Sequence, residues 1–295
     1  MAGSTLSFNQ TREEDERRSS FFSIPPMSDK EFKSLQKIIY DTAGIDIKES
    51  KKYLLINRLS KRLRNLGLRN FTEYLSYLDL GERRNQEIVE FIDAVTTNKT
   101  EFFREYNHFQ FMQNPFLPDL LKNRPASPIR IWSSACSSGE EPYSIAIFMS
   151  ELIKYPWKLD ILASDISETI LRAAVQGIYD ESKLKPVHPN LLRKYFLKGS
   201  GRYKIRPEIA NLISFKKINL KLDYHRSLSN FDIVFCRNVL IYFNHDMQNQ
   251  IINKHWQVLR PGGYLFLGHS ETLFGTHVNF QYVAPSIYRK AEDRK

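Results

Sequence analysis

Near Pro128 the apolar residues change period, and that change constrains the fold more than any other feature of the chain. Beyond it, short apolar runs at 129–132, 159–163, 212–215, 231–235 and 264–267 alternate with helical patterns over 142–153 and 168–175. Such alternation predicts a parallel sheet with crossover helices. Before it, from Ser28 to Val95, the period is helical. Ser28 with Glu31 forms a capping box ahead of Phe32, Leu35, Ile38 and Ile39, and Gly44 supplies a stop. Ser50 opens a second helix with the stripe Leu55, Ile56, Leu59, Leu63 and Leu66, ended by Gly67; Asn70 with Glu73 caps a third; Ile88, Phe91, Ile92 and Val95 mark a fourth. Between Gly177 and Asn211 the alternation is interrupted, and Tyr195–Leu197, a Gly199-Ser200-Gly201 turn and Tyr203–Ile205 read as an inserted hairpin. The expected organisation is a disordered arm over 1–27, a small all-α domain over 28–95, a linker and connecting helix over 96–124, and an α/β domain over 125–291 carrying a small β insertion at about 178–211.

At 295 residues the chain can bury its cores without staples, and Cys136 and Cys236 are too few and too far apart for a disulfide framework or a zinc site. Both are expected as packed thiols, and no metal is expected. No apolar run approaches the roughly 20 residues of a membrane span. The first ten residues lack the pattern of an export signal, which points to the cytoplasm. The formal charge of +10 calls for an acidic partner: nucleic acid, anionic membrane or an acidic protein surface.

The stretch from Ile129 through Ser133-Ser134-Ala135-Cys136-Ser137-Ser138-Gly139 to Glu140-Glu141-Pro142 passes from strand to helix through small residues. In a doubly wound sheet this is where a nucleotide-like ligand sits, outside the carboxyl ends of the strands. Its glycine spacing is not that of a dinucleotide fingerprint, and two carboxylates occupy the helix start where a pyrophosphate would bind. That disfavours a dinucleotide oxidoreductase. S-adenosylmethionine, with an ammonium, a sulfonium and no phosphate, suits an acid such as Glu141. Plain helix capping explains the same acids. Asp165, at the next strand end, is placed for a ribose or for a helix cap. Pro261-Gly262-Gly263 reads as a turn joining a helix to a strand.

Four blocks taken together resemble the CheR-type chemotaxis receptor methyltransferases: Thr96-Thr97-Asn98-Lys99-Thr100-Glu101-Phe102-Phe103-Arg104-Glu105, Ser137 to Ser144, Phe235-Cys236-Arg237-Asn238-Val239-Leu240-Ile241-Tyr242-Phe243, and Gly268-His269-Ser270-Glu271. The resemblance implies a Rossmann-like class I S-adenosylmethionine methyltransferase domain, with S-adenosylhomocysteine as product. It implies that Asn98, Thr100 and Arg104 close over the cofactor, Arg104 holding the methionyl carboxylate through its planar fork. Glu141 matches the acid for the ammonium, Asp165 the ribose ligand, and Asn219 with Leu220 the adenine side. Arg237 and Asn238 lie at the same rim, and Tyr242 faces the reaction centre or packs in the core. With Arg104, Tyr242 is the candidate catalytic residue.

The implied substrate is a glutamate side chain of a chemoreceptor. Its carboxylate is already ionised at neutral pH, so no base is needed and alignment carries the catalysis. Arg58, Lys61, Arg62 and Arg64 recur along the second helix, with no acid in that run, and form the expected docking face for the receptor's acidic helical bundle. The short turn from Gly199 to Arg202 speaks against docking of a receptor tail peptide. A monomer is expected. A nucleic-acid methyltransferase is disfavoured because the strand end reads Arg237-Asn238-Val239-Leu240 rather than an acid-or-Asn, Pro, Pro, aromatic motif. A non-catalytic adaptor that senses the cofactor is the remaining alternative.

Overall fold

The computed structural model describes residues 24–79, 83–123, 127–224, 228–273, 275 and 278–291; the expected arm therefore falls, through residue 23, outside the described residues. The chain divides into two compact units, one ending at Thr42 and resuming over Ile47–Val95, the other comprising Ala43–Asp46 and Thr96–Lys295.

The first unit is helical. Helix α1 (Asp29–Ala43) begins at the capping box, in which Ser28 N donates to Glu31 Oε2 at 2.8 Å and Glu31 N to Ser28 Oγ at 3.3 Å. Helix α2 (Lys52–Leu66) is not opened by the Ser50 side chain: a 3-10 turn over Glu49–Lys51 leads into it, and its first residue follows Lys51 without a side-chain cap. It ends at Gly67, whose φ of +70° is open to glycine at no steric cost. Helix α3 (Phe71–Leu78) is capped by Asn70, whose Oδ1 accepts from Glu73 N at 2.8 Å, and α4 (Arg83–Val95) completes the unit. The α2 leucines at 55, 59 and 63 are all buried, each contributing about 1.5–3 kcal/mol by leaving water.

The second unit opens with α5 (Asn107–Phe111), a π-helical turn (Met112–Phe116) and α6 (Leu117–Asn123). Then come β1 (Ile129–Ser133), α7 (Glu140–Leu152), β2 (Leu159–Asp165) and α8 (Glu168–Gln176). The insertion holds β3 (Ile178–Asp180), α9 (Pro189–Tyr195), β4 (Phe196–Lys198), β5 (Arg202–Ile205) and α10 (Pro207–Ala210). The chain returns through β6 (Ile213–Lys217), β7 (Phe231–Cys236), α11 (His245–Val258), β8 (Leu259–Leu267), β9 (Phe280–Ala284) and β10 (Ile287–Lys290).

The main sheet runs β6-β2-β1-β7-β8-β10-β9; its first five strands are parallel, β10 runs against them, and β9, antiparallel to β10, runs with them. This is the expected α/β class. The parallel strands read as unbroken apolar runs because apolar clusters cover both faces: Ile131, Ile161 and Ile233 lie in one, Trp132, Leu162 and Val234 in the other. Strand order reverses between β1 and β7, so the loops beyond their carboxyl ends diverge and leave a crevice.

Two expectations need correction. The insertion is a three-stranded sheet, β3-β5-β4, rather than a hairpin alone; β4 and β5 form the hairpin, and the three residues of β3 are too few to show alternation. Pro261-Gly262-Gly263 does not join a helix to a strand. These residues lie within β8, where the register against β7 slips between Phe231 and Ile233. Glycine is required there, because a Cβ on Gly263 would stand 2.9 Å from the Arg260 carbonyl oxygen.

Candidate active site

The loop from β1 to α7 is held from two sides. Cys136 N donates to Ser164 O at 2.8 Å, and Ser137, at φ +49°, donates its N–H to Asp165 Oδ2 at 2.8 Å. Asp165 Oδ1 also accepts from Ser167 N at 3.0 Å. Asp165 thus shapes the loop as well as standing at the strand end where a ribose acid belongs. Ser137 Oγ reaches the carbonyl of Asn98 at 3.0 Å. Gly139 turns the chain at φ +94°, and a Cβ there would lie 2.9 Å from the Tyr179 hydroxyl.

The two carboxylates at the start of α7 have different fates. Glu140 is fully buried and occupied by Ser138 Oγ, at 2.6 Å, and by Lys183 from the insertion. Glu141 accepts from Ser133 Oγ at 2.7 Å and lies 3.3 Å from Arg237 Nη1. Burial raises its pKa, and neither Arg237 nor the Ser133 hydroxyl brings it back to the ordinary value.

Residues 98–105 are pinned by Phe102, buried with its ring 4.9 Å from that of Tyr179, and by the Phe103 N–H, which donates to Ser144 Oγ at 2.9 Å. Phe103 and Glu105 both adopt left-handed φ, +54° and +57°, on either side of Arg104, and Asn238 does so at +56°. Non-glycine residues in this region cost of order 1–3 kcal/mol each and cluster where function demands a fixed geometry. Arg104 is partly buried, with Nη1 3.3 Å from the Lys99 carbonyl oxygen. Arg237 is buried; its Nε and Nη2 each lie 3.1 Å from Glu105 Oε2, and Nη2 also donates to the Arg104 carbonyl. Asn238 Nδ2 reaches Glu105 Oε1 at 3.3 Å.

Glu271 fastens the loops after β7 and β8 together. Its Oε2 accepts from Gly268 N at 2.7 Å and Asn238 N at 2.8 Å, and its Oε1 from Leu240 N at 2.8 Å. Those bonds hold the 3-10 turn Leu240–Tyr242, on which Tyr242 is partly buried. Asn219 and Leu220 follow β6, beside β2: Ile218 N donates to the Asp165 carbonyl at 3.1 Å, Asn219 Oδ1 accepts from Lys221 N at 3.0 Å, and Lys254 Nζ lies 3.4 Å from the Leu220 carbonyl oxygen.

One hydrogen-bonded cluster therefore gathers Arg104, Glu141, Arg237 and Asn238. The Ser137 hydroxyl ties Asn98 to the loop that Asp165 shapes, and Ile218, next to Asn219, bonds the Asp165 carbonyl. Thr100 is partly buried on the same segment as Arg104. Sequence reasoning gave no role to Glu105, Glu271, Ser133 or Lys183. The first two stood inside quoted blocks, but nothing in their spacing told a clamp from a surface acid. Glu105, His108 and His269 bring one ligand atom each within 4.8 Å of one another, a set able to ligate a divalent ion only at the expense of the Glu105–Arg237 pair.

Within the helical unit, the expected docking cations separate into two kinds. Arg62 Nε donates to Glu87 Oε1 at 2.8 Å and Nη1 lies 3.4 Å from Glu90, while Arg58 donates to the Val95 carbonyl. The counter-charges absent from α2 are supplied by α4. Lys61 and Arg64 are exposed, and so is Tyr53, at 80%.

Among the described residues no helix is long and apolar enough to cross a membrane. Residues 30–96 match the family described as CheR methyltransferase, all-alpha domain, and residues 98–288 match CheR methyltransferase, SAM binding domain. The chain is 40% identical over 267 residues to the chemotaxis protein methyltransferase of Borreliella burgdorferi, covering 88% of this chain and 94% of that one. It is 38% identical over 273 residues to the chemotaxis protein methyltransferase of Salmonella typhimurium, covering 91% and 92%, and 37% identical over 272 residues to that of Escherichia coli, covering 90% and 93%.

Proposed function

Because this chain belongs to the CheR methyltransferase family, with its S-adenosylmethionine-binding domain, we propose that it methylates glutamate side chains on the cytoplasmic helical bundle of bacterial chemoreceptors. The observation that carries the reading is the acidic lining of the strand-end crevice, with Glu141 and Asp165 where a phosphate-binding loop would present bare N–H groups.

When bound, S-adenosylmethionine would supply an electrophilic methyl to the receptor carboxylate, with its thioether as the leaving group and no proton to be moved. Glu141 takes the ammonium of the methionyl group and Arg104 its carboxylate, Arg104 through paired charge-assisted bonds. Asp165 takes the ribose, and Asn219 with Leu220 borders the adenine. Tyr242 stands toward the acceptor. The protein's work is alignment and exclusion of water, since the reacting charges cancel and a polar shell would oppose the step. Lys61 and Arg64 present positive charge to the acidic receptor, and the enzyme acts in the cytoplasm, where that part of the receptor lies.

Incubation with tritiated S-adenosylmethionine and receptor-bearing membranes should label the receptor. Mild base should release the label as methanol, as a carboxyl methyl ester requires. Base-stable label, or label on nucleic acid, would overturn the glutamate assignment.

A further inference from the structure

Arg237 sits between two carboxylates. Glu105 Oε2 is 3.1 Å from both Nε and Nη2, and Glu141 Oε2 is 3.3 Å from Nη1. Only 2% of the Arg237 side chain, 9% of Glu105 and 14% of Glu141 is exposed, so solvent screens these charges weakly. Glu105 is fixed in place: its backbone is left-handed, and its Oε1 accepts from Asn238 Nδ2 at 3.3 Å and from His269 N at 3.2 Å. Two carboxylates and one guanidinium leave the cluster with one net negative charge. The charge of Arg104 is matched by the ligand's own carboxylate. S-adenosylmethionine carries an ammonium, a sulfonium and a carboxylate and is a net cation, whereas S-adenosylhomocysteine has lost the sulfonium and is neutral.

We infer that Glu105 is a positioning and specificity-determining residue: by balancing Arg237 it leaves the Glu141 charge to the cofactor, and it biases the site toward the cationic methyl donor over its neutral product. Without Glu105, Arg237 and Glu141 become a self-contained neutral pair. Both ligands then lose their ammonium partner, and the donor alone also loses the field acting on its sulfonium. The inference rests on the cofactor reading of this pocket.

The test is calorimetric titration of the full chain with S-adenosylmethionine and with S-adenosylhomocysteine, comparing wild type, Glu105→Gln and Glu105→Asp. The preference for donor over product, as a ratio of dissociation constants, should fall roughly tenfold in Glu105→Gln and stay near the wild-type value in Glu105→Asp. Equal weakening of both ligands in Glu105→Gln, or the same loss in Glu105→Asp, would show that the charge does nothing and would overturn the inference. The double variant Glu105→Gln/Arg237→Met removes both members of the pair and restores one net negative charge. It should recover the wild-type ratio, and a ratio still tenfold low would sink the inference even if the single variant fails to fold. Wild type binding neither ligand would remove the cofactor reading itself, whereas wild type binding both with an unshifted ratio in the variants would remove only the role of Glu105.

Discussion

Arg62 on α2 and Glu87 on α4 form an ion pair inside the helical unit, with Nε donating to Oε1 at 2.8 Å and the Tyr74 hydroxyl donating to the same oxygen at 2.9 Å. Glu87 is 3% exposed, so removal of Arg62 strands a buried carboxylate. Arg62→Ala should cost about 3–5 kcal/mol of unfolding free energy in urea denaturation. Lys61→Glu and Arg64→Glu should stay within about 0.5 kcal/mol of wild type and slow receptor methylation. A stable Arg62→Ala protein with impaired docking would return Arg62 to the receptor face.

Arg104 is set between two residues of left-handed backbone, and among the described residues its side chain makes one long bond, to the Lys99 carbonyl. Its guanidinium contributes little to the fold and much to the ligand. Arg104→Ala should weaken S-adenosylmethionine binding by about two to three orders of magnitude in calorimetry, abolish transfer, and leave thermal stability near wild type. Arg104→Lys should rescue little, because an ammonium cannot present the two parallel donors of the fork. Unchanged affinity in the alanine variant would refute the assignment.

Glu271 is buried, and burial raises its pKa against the backbone N–H groups of Gly268, Asn238, Ile241 and Leu240, which hold it down. A glutamine there would turn an amide donor toward N–H groups. Gly268→Ala would press a Cβ to within 2.5 Å of Asn238 Nδ2 and 2.8 Å of Glu271 Oε2. Both substitutions should lower stability by about 1–3 kcal/mol and reduce kcat together with cofactor affinity, since both shift Asn238 and the turn bearing Tyr242. Either variant turning over at the wild-type rate would show that this clamp does not position the site.

What the sequence disclosed follows from the reach of its signals. Capping at Ser28 and Asn70 and the stops at Gly44 and Gly67 are local, and each stands where its side-chain chemistry put it. The parallel strands showed themselves because burial on both faces demands unbroken apolar runs. The β8 bulge was hidden, since Pro-Gly-Gly spells a turn unless the facing strand is known. The sequence showed Arg62 without its partner, because Glu87 lies 25 residues away on another helix. The same holds for Glu105 and Arg237, 132 residues apart.

Two buried histidines make the fold less stable in acid. His255 is enclosed between the Tyr224 hydroxyl, 2.8 Å from Nδ1, and Ser134 Oγ, 3.2 Å from Nε2; His108 is fully buried, with Nδ1 3.7 Å from Glu105 Oε2. Burial pushes each down from 6.5 to about 3, with Lys254 adding to the effect at His255 and Arg237 at His108. Below pH 6.5 the unfolded chain binds a proton at each position that the folded chain refuses, so stability falls as pH drops toward 3 and is fully present above 6.5. Between pH 7 and pH 5 each histidine should remove about 2 kcal/mol of unfolding free energy. His255→Phe keeps an aromatic ring against Trp132, 5.0 Å away between centroids, and removes one of the two titrations. It should be less stable than wild type at pH 7, where Tyr224 and Ser134 lose a partner, yet its stability should decline with acid by about 2 kcal/mol less over the same interval. Urea denaturation at pH 7, 6 and 5 reads that difference directly, and parallel curves for the two proteins would show that His255 is not held neutral in the fold.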